Sequence, residues 1–321
     1  MHLSSTAKLS QFATDVLEGL SSAPKFLSSK YFYDNEGTRL FREIMDLPEY
    51  YLTNCEIEIF RTQTDQICRR FATSNDPFEL IELGAGDGTK TAILIDQLIR
   101  QNADVSYSTI DISAEALDVL ADRFRAEFPT LKIETRSGDY FKILESLKGR
   151  GRRKVILFLG SNIGNLPHDR SIAFFQQLHA AMERNDKLFI GFDLQKDPHV
   201  IVRAYDDRAG VTARFNLNLL TRINRELGGD FDIDSFIHYA NYRPIDGSAR
   251  SYLISRRRQE VNIDALGRRF EFDQWEPIFM EISQKYTVKT IEILAEESGF
   301  QIEKTFFDSR NYYCNSLWRP I

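Results

Sequence analysis

The stretch Phe78-Glu79-Leu80-Ile81-Glu82-Leu83-Gly84-Ala85-Gly86-Asp87-Gly88-Thr89-Lys90 decides the fold of this chain. An apolar run ends at Leu83, and three glycines follow at alternate positions before a helical pattern begins. Glycine tolerates positive φ and carries no side chain, so the backbone can approach a ligand closely there. The free amides at the start of the next helix can meet an anionic group such as a carboxylate. The stretch predicts a strand, a ligand-binding loop and a helix, with a purely structural glycine turn as the alternative.

The sequence on both sides of this stretch continues the pattern. From residue 78 to residue 193, short apolar runs alternate with amphipathic stretches, which predicts a parallel sheet flanked by helices. The predicted strands are 78–83, 105–111, 131–135, 155–160 and 188–193, and the predicted helices between them are 91–100, 114–128 and 171–182. Segments 301–307 and 312–318 fit a closing hairpin at the sheet edge. Because ligands bind outside the carboxyl ends of such strands, the residues that follow each strand are the site candidates.

The glycine spacing indicates which cofactor the loop binds. This chain has GxGxG after the first strand, whereas a dinucleotide loop has GxGxxG. The spacing resembles the first motif of S-adenosylmethionine-dependent methyltransferases. Asp111 ends the second strand, where a carboxylate can accept from both ribose hydroxyls. Asp139 and Tyr140 follow the third strand and offer an acceptor for the adenine amino group with a ring beside it. The alternatives are a helix N-cap at Asp111 and a surface turn at Asp139.

The loop after the fourth strand, Phe158-Leu159-Gly160-Ser161-Asn162-Ile163-Gly164-Asn165-Leu166, is where the methyl acceptor should lie. DNA and many protein N-methyltransferases have a paired-proline motif ending in an aromatic residue there, and this chain has none. The Asn165 amide has two donor hydrogens and an acceptor, which suits a zwitterion better than a stacked base ring. A loop asparagine in the left-handed conformation is an equally supported interpretation of Asn165 alone.

Five segments together carry a resemblance to a known family: 30–34, 47–51, 158–166, 202–207 and 281–283. In combination and order they resemble the histidine Nα-methyltransferases of ergothioneine biosynthesis, which convert histidine to its trimethylammonium betaine, hercynine. The resemblance covers nearly the whole chain. It implies an α/β protein with a Rossmann-like class I methyltransferase sheet, an inserted α+β substrate-binding subdomain, and S-adenosylmethionine as co-substrate.

The resemblance also implies a role for each site residue. It places the cofactor against Gly84, Lys90, Asp111, Asp139 and Tyr140. The substrate carboxylate and amino group would be held by Tyr50, Asn165 and Tyr205, the imidazole by Glu281 and Ser283, and Tyr33 would accept the amine proton or position the amine. The chemistry agrees, because a carboxylate beside a hydroxyl can bind both ring nitrogens of histidine. Taken singly, the tyrosines could be ordinary packing and Glu281 an exposed strand residue.

Two positions depart from the family pattern. Ser251 stands where relatives have a bulkier apolar residue near the imidazole, so this chain offers less apolar surface for packing against the ring. Asn162 replaces the threonine expected after the fourth strand. Neither change removes a polar group that the proposed chemistry needs.

The regions outside the alternating pattern predict a second domain. Residues 194–275 have the pattern of an insertion, with helices predicted at 200–207 and 213–227 and strand-like segments at 236–242 and 251–263. Segment 277–286 then returns as a strand and 288–298 as a helix. We expect a cofactor-binding domain built from 61–193 plus 287–321, and a substrate-binding subdomain built from 1–60 plus 194–286.

Composition narrows the classes of partner. The net charge of −6 argues against a broad nucleic-acid footprint, and the substrate is expected to be a small molecule. Three cysteines without a CxxC pair, a polar N-terminal stretch and no apolar run of membrane length lead us to expect a cytosolic, monomeric protein. The five histidines form no HxxxH-type spacing, so no metal cofactor is expected.

Three other functions remain open at this point. An N-methyltransferase for another amino acid, such as a tryptophan derivative, could use the same scaffold, although Glu281 and Ser283 argue against it. A nucleic-acid or protein methyltransferase is supported only by the basic cluster 148–154, for which a solvated loop is the better interpretation. A non-catalytic cofactor-sensing protein would not need the set of polar residues at the acceptor position.

Overall fold

The computed structural model describes residues 9–73, 76–111, 114–149 and 151–321, without the side chains of residues 114 and 116. The chain divides into two compact units. The first unit is the chain up to Tyr51 together with Lys196–Ser283, and the second unit is Leu52–Gln195 together with Gln284–Ile321. The predicted boundaries after residues 60, 193 and 286 differ from those after residues 51, 195 and 283 by nine, two and three residues. The binding role of each unit remains a prediction.

The described residues form the following helices and strands. The helices are α1 (Gln11–Ser21), α2 (Asn35–Asp46), α3 (Tyr51–Phe71), α4 (Thr89–Arg100), α5 (Ala114–Glu127), α6 (Tyr140–Ser146), α7 (His168–Ala181), α8 (Pro198–Tyr205), α9 (Val211–Leu227) and α10 (Val288–Glu297). The strands are β1 (Phe78–Leu83), β2 (Val105–Asp111), β3 (Lys132–Ser137), β4 (Arg153–Phe158), β5 (Lys187–Asp193), β6 (Phe236–Arg243), β7 (Ser248–Ser255), β8 (Gln259–Ile263), β9 (Arg268–Phe272), β10 (Pro277–Gln284), β11 (Phe300–Phe307) and β12 (Tyr313–Pro320). None of these helices is both long and apolar enough to cross a membrane.

The second unit contains a seven-stranded sheet in the order β11-β12-β5-β4-β1-β2-β3. Strands β3, β2, β1, β4 and β5 pair in parallel, while β12 pairs antiparallel with β5 and with β11. The alternation of apolar runs and helices therefore predicted the α/β sheet correctly, and the closing hairpin lies at the sheet edge as expected. The strand order reverses between β1 and β4, which is where ligands bind in open parallel sheets.

The parallel register brings the carboxyl ends of the central strands together. Leu83 of β1 lies opposite Ile110 of β2, and Glu82 lies opposite Leu157 of β4. The loops that follow these three strands are consequently neighbours at one edge of the sheet. The core below them includes Trp318, which is fully buried and packs against Phe175 with ring centroids 4.9 Å apart. A packed core of this kind holds the strand ends, and the loops after them, in fixed positions.

The first unit contains a three-stranded sheet in the order β10-β7-β6 and a two-stranded ribbon of β8 and β9. The sequence predicted one strand-like segment at 251–263, and this prediction was wrong. The chain turns at the exposed arginines after Ser255: the Arg256 amide donates to the Ser235 carbonyl at 2.8 Å, and the Ser255 hydroxyl donates to the Arg257 carbonyl at 2.8 Å. Strand β8 then pairs with β9 instead of continuing β7.

The basic cluster 148–154 is also different from the expectation of a solvated loop. Arg153 and Lys154 begin β4, and Lys154 is only 1% exposed with its ammonium 2.9 Å from Asp186 Oδ2. The Arg153 guanidinium lies 5.0 Å from the centroid of the Phe78 ring. Residue Arg150 lies outside the described residues. Because Arg153 and Lys154 are already stacked or paired, these two residues give no support to a nucleic-acid surface.

Candidate active site

The glycine loop after β1 has the open backbone that the sequence predicted. Gly84, Gly86 and Gly88 have φ of +71°, +57° and +68°, a left-handed conformation that side chains rarely adopt. A Cβ atom at Gly88 would lie 2.5 Å from Leu120 Cδ1, whereas one at Gly86 would meet nothing within 4 Å. Gly88 is therefore required for packing against α5, and Gly86 lies in a part of the loop where a ligand can approach the backbone.

Two predicted cofactor residues lie close to this loop. The Tyr140 hydroxyl is 3.3 Å from the position that a Cβ atom on Gly84 would occupy. Burial raises the pKa of Tyr140 to about 12, and the carboxylate of Asp111 adds to the shift. The Gly138 amide donates to the Asp111 carbonyl at 3.1 Å, which holds the loop after β3 against the end of β2. Three strand ends thus bring Gly84, Asp111 and Tyr140 together.

Asp139 also stabilises the start of helix α6. It is the N-cap of α6, and its Oδ1 atom accepts from the amides of Phe141 at 3.0 Å and Lys142 at 3.1 Å. A cap of this kind stabilises a helix start by roughly 1 kcal/mol. Both bonds use the same oxygen, so the cap leaves Oδ2 to a ligand. The carboxylate is exposed.

Lys90 is tied to a residue that the sequence analysis did not single out. Its ammonium lies 2.5 Å from Glu56 Oε2, and Glu56 is completely buried on α3. Glu56 also accepts from the Gly160 amide at 3.0 Å, the Tyr313 hydroxyl at 3.0 Å and the Asn315 amide at 2.8 Å. The signal for Glu56 was a lone carboxylate within the otherwise apolar buried positions of a helix. Lys90 keeps 22% of its side chain exposed, so part of it remains accessible.

The loop after β4 begins with two left-handed residues. Gly160 has φ of +71° and Ser161 has φ of +57°, and the buried Ser161 hydroxyl accepts from the Asp193 amide at 3.0 Å. Asn162–Asn165 then form a short 3-10 turn, with the Asn165 side chain exposed. Asn165 belongs to this turn and is not in a left-handed conformation, so the conformational interpretation of this residue is wrong. The role of the Asn165 side-chain amide in binding the substrate remains a prediction.

The first unit brings together four of the predicted substrate residues. The Tyr205 hydroxyl donates to Ser283 Oγ at 2.8 Å, and both residues are buried. Desolvation raises the pKa of the Tyr33 hydroxyl above its usual value, and the Glu281 carboxylate and Tyr205 add to the shift. The Tyr33 residue as a whole is 47% exposed. Tyr33, Tyr205, Glu281 and Ser283 therefore share one environment.

Tyr50 reaches this group through an aromatic cluster. Its ring packs edge-on against Phe41 with centroids 6.3 Å apart, and Phe41 packs in the same way against Tyr33 at 5.5 Å. Phe215 of α9 completes the cluster, 5.8 Å from Tyr33. Phe41 and Phe215 carried no signal of function in the sequence, because apolar residues at helical spacing predict only a core face.

Comparison with known proteins identifies the family. The model of the S-adenosylmethionine-dependent histidine-specific methyltransferases matches residues 12–320. The chain is 37% identical to the histidine N-alpha-methyltransferase of Mycobacterium tuberculosis over 90% of this chain and 89% of that protein. It is 28% identical to ergothioneine biosynthesis protein 1 of Schizosaccharomyces pombe over 89% of this chain and 38% of that protein.

Another relative is named for a substrate that contains an indole. The chain is 30% identical to the 4-dimethylallyltryptophan N-methyltransferase of Claviceps purpurea over 71% of this chain and 69% of that protein. The family match, in contrast, runs almost from end to end and agrees with the strand order and with the glycine loop. The chain belongs to the S-adenosylmethionine-dependent histidine-specific methyltransferase family.

Proposed function

We propose that this protein transfers methyl groups from S-adenosylmethionine to the α-amino nitrogen of L-histidine, three times in succession, to form hercynine for ergothioneine biosynthesis. The observation that carries the proposal is the group of Tyr205, Ser283 and Glu281, joined by the 2.8 Å bond between the two hydroxyls. Membership of a histidine-specific family agrees with it.

The second unit has the chemistry to hold the cofactor. The open backbone at Gly86 and the left-handed glycines fit a ligand that comes close to the main chain. In this proposal Gly84 and Lys90 bind the methionine end, Asp111 accepts from the ribose hydroxyls, and Asp139 with Tyr140 holds the adenine. The accessible part of Lys90 suits a carboxylate, and Asp139 Oδ2 suits an amino group.

Glu281 and Ser283 suit the imidazole of histidine. The Glu281 carboxylate would accept from one ring N–H. Ser283, which accepts from the Tyr205 hydroxyl at 2.8 Å, would offer its own hydroxyl to the second ring nitrogen. An indole has a single N–H and no ring acceptor, so it can pair with the carboxylate but not with a hydroxyl donor. The pair therefore favours histidine over tryptophan derivatives.

Tyr33, Tyr50, Asn165 and Tyr205 are assigned to the amino acid backbone of the substrate. The Tyr33 hydroxyl, whose pKa is raised by desolvation and by the Glu281 carboxylate, is protonated at neutral pH, as an ordinary tyrosine is. We assign it to positioning the amine. Tyr50, Asn165 and Tyr205 would hold the carboxylate through hydroxyl and amide donors, and the amide oxygen of Asn165 would accept from the amino group.

The reaction depends mainly on alignment. The bound cofactor supplies an electrophilic methyl group on a sulfonium, and its departure leaves a neutral thioether, so no acid is needed. Positioned side chains can lower the barrier by several kcal/mol, on the order of 7–11 in well-oriented systems. The amine must be unprotonated for its lone pair to attack. Few direct donors at the amine allow the pocket to accept one, two and then three methyl groups.

Glu281→Ala tests the assignment of the imidazole partner. Loss of a charge-assisted hydrogen bond costs roughly 1.5–3 kcal/mol, so the histidine KM should rise about 10- to 100-fold. The KM for S-adenosylmethionine should not change, because Glu281 is not among the cofactor residues. Glu271→Ala, at an exposed position of β9, is the control. An unchanged histidine KM in steady-state kinetics would show that Glu281 does not bind the ring.

A second candidate is N-methylation of a tryptophan derivative, which the Claviceps relative favours. The two candidates predict different effects of Glu281→Ala on substrate affinity. A histidine enzyme loses histidine affinity in this variant, whereas a tryptophan enzyme should keep or gain affinity for an indole amino acid when the carboxylate is removed.

A further inference from the structure

His238 of β6 makes a hydrogen bond whose direction is fixed by chemistry. Its Nε2 atom lies 2.8 Å from the carbonyl oxygen of Tyr205. A carbonyl oxygen can only accept, so Nε2 must carry the hydrogen. The other ring nitrogen, Nδ1, is buried and has no hydrogen-bond partner in the part of the chain that the structure describes. His238 therefore acts as a single donor, held in one tautomer.

The charge state of His238 agrees with this geometry. Burial lowers the pKa of its imidazole below the usual value of 6.5, although the Tyr205 carbonyl and the carboxylates of Asp206 and Asp207 oppose the shift. A proton added to Nδ1 would lie in a buried position without an acceptor, which is costly. The ring is consequently neutral at neutral pH and keeps its hydrogen on Nε2.

The Tyr205 carbonyl, which accepts from His238, lies at the end of a helix. Tyr205 is the last residue of α8, and Asp206 leaves the helical conformation with φ of −145° and ψ of 70°. The last carbonyls of a helix have no amide partner within it and need one from elsewhere. His238 supplies that partner to Tyr205 and so fixes the backbone from which the Tyr205 side chain projects.

The Tyr205 side chain links this helix end to Ser283 of β10. Its hydroxyl donates to Ser283 Oγ at 2.8 Å, so β6, α8 and β10 are linked through His238, Tyr205 and Ser283, all within the first unit. We propose that His238 is a positioning residue for histidine binding: its Nε2–H group holds the end of α8 so that Tyr205 and Ser283 meet the substrate in the correct geometry. This inference rests on the proposed function of Tyr205 and Ser283.

The experiment compares two substitutions at His238. His238→Gln keeps an N–H donor near the position of Nε2, and His238→Leu removes the donor while keeping a similar volume. We expect His238→Leu to raise the histidine KM about fivefold, the effect of one net hydrogen bond, and to leave the KM for S-adenosylmethionine unchanged. His238→Gln should restore the histidine KM to within about twofold of the wild type. His199→Leu, at an exposed position of α8, is the control and should change neither constant.

Two results would overturn the proposal. One is an unchanged histidine KM in His238→Leu, and the other is an equal rise of both KM values in His238→Leu and His238→Gln, which would indicate a general structural role. Turnover of histidine by the wild-type protein in the same assay tests the proposed function separately. If the leucine variant does not fold, nitrogen-15 NMR of the wild-type imidazole decides: the proposal requires the Nε2–H tautomer, and an Nδ1–H tautomer contradicts it.

Discussion

At the scale of single residues, Tyr33 and Asp139 show what the sequence could and could not predict. Asp139 was identified from its position after the third strand and Tyr33 through the family resemblance, which left open whether Tyr33 accepts a proton or positions the amine. The raised pKa of Tyr33 depends on the desolvation of its hydroxyl and on Glu281, which is 248 positions away by numbering (281 minus 33). Asp139 likewise combines a helix cap with a predicted cofactor contact, and only its bonds to Phe141 and Lys142 reveal the cap. Such environments depend on tertiary packing, which a sequence pattern does not encode.

Glu82 of β1 gives the stability of this protein a predictable pH dependence. It is 2% exposed and accepts from Thr91 Oγ1 and Tyr107 Oη, both at 2.7 Å. Burial outweighs these bonds and raises the pKa of Glu82 to about 7 from an ordinary 4.5. A folded-state pKa above the unfolded value means that the folded state binds the proton more tightly. The stabilisation is complete below pH 4.5 and is lost as the pH rises through 7.

Glu82→Gln should remove this dependence. From pH 5 to pH 8, the free energy of unfolding of the wild type should fall by about 2–3 kcal/mol more than that of the variant. Urea unfolding of both proteins at both pH values measures the difference. Glu115→Gln, at an exposed position of α5, should behave as the wild type does. Parallel pH curves for the wild type and Glu82→Gln would show that Glu82 does not titrate in this range.

At the scale of elements, Glu56 connects α3 to three other parts of the second unit. It receives hydrogen bonds from Lys90 of α4, from Gly160 in the loop after β4, and from two residues of β12. Gly191 of β5 leaves the space for this cluster, because a Cβ atom there would lie 2.1 Å from the Tyr313 hydroxyl. The elements that carry the predicted cofactor and acceptor loops are thus held by one buried carboxylate.

Glu56→Ala should therefore destabilise the protein strongly. Removing one partner of a buried charged group leaves Lys90 and several donors unpaired, which typically costs about 3–5 kcal/mol. Glu56→Gln keeps one acceptor oxygen and should cost less. Asp65→Asn on the same helix, where the Asp65 side chain is 52% exposed and paired with Arg69, should cost less than about 1 kcal/mol. Chemical denaturation gives the comparison, and equal stability of Glu56→Ala and Asp65→Asn would contradict it.

The elements themselves were predictable to different degrees. Strands β1 and β2 have the predicted bounds, and the residues in the second half of β1 are buried on both faces of the sheet. Helix α3 was not predicted, although Leu52, Ile59 and Phe60 lie at helical spacing and are buried, because polar residues such as those at 61–66 interrupt the apolar positions. The break between β7 and β8 depends on the contact of Arg256 with Ser235, which is formed only in the folded chain.

At the scale of the whole molecule, the sequence predicted two domains, each built from separate segments of the chain. This was possible because the alternating pattern of the sheet stops near residue 193 and resumes after residue 284, so the insertion is visible as a change in pattern. The individual contacts between distant segments were not predictable, since hydrogen bonds such as that of Tyr205 to Ser283 join residues with no shared local pattern. Monomeric state and a cytosolic location remain predictions from composition.

The central claim is that the protein is a histidine Nα-methyltransferase, and direct turnover tests it. The full chain would be incubated with S-adenosylmethionine and an equimolar mixture of the twenty amino acids, to which 4-dimethylallyltryptophan is added, and the products followed by mass spectrometry. We predict that histidine alone is methylated, that one, two and three methyl groups appear in order on its α-amino nitrogen, and that the trimethylated product accumulates. Methylation of an indole amino acid in preference to histidine, or no methylated histidine at all, would contradict the account.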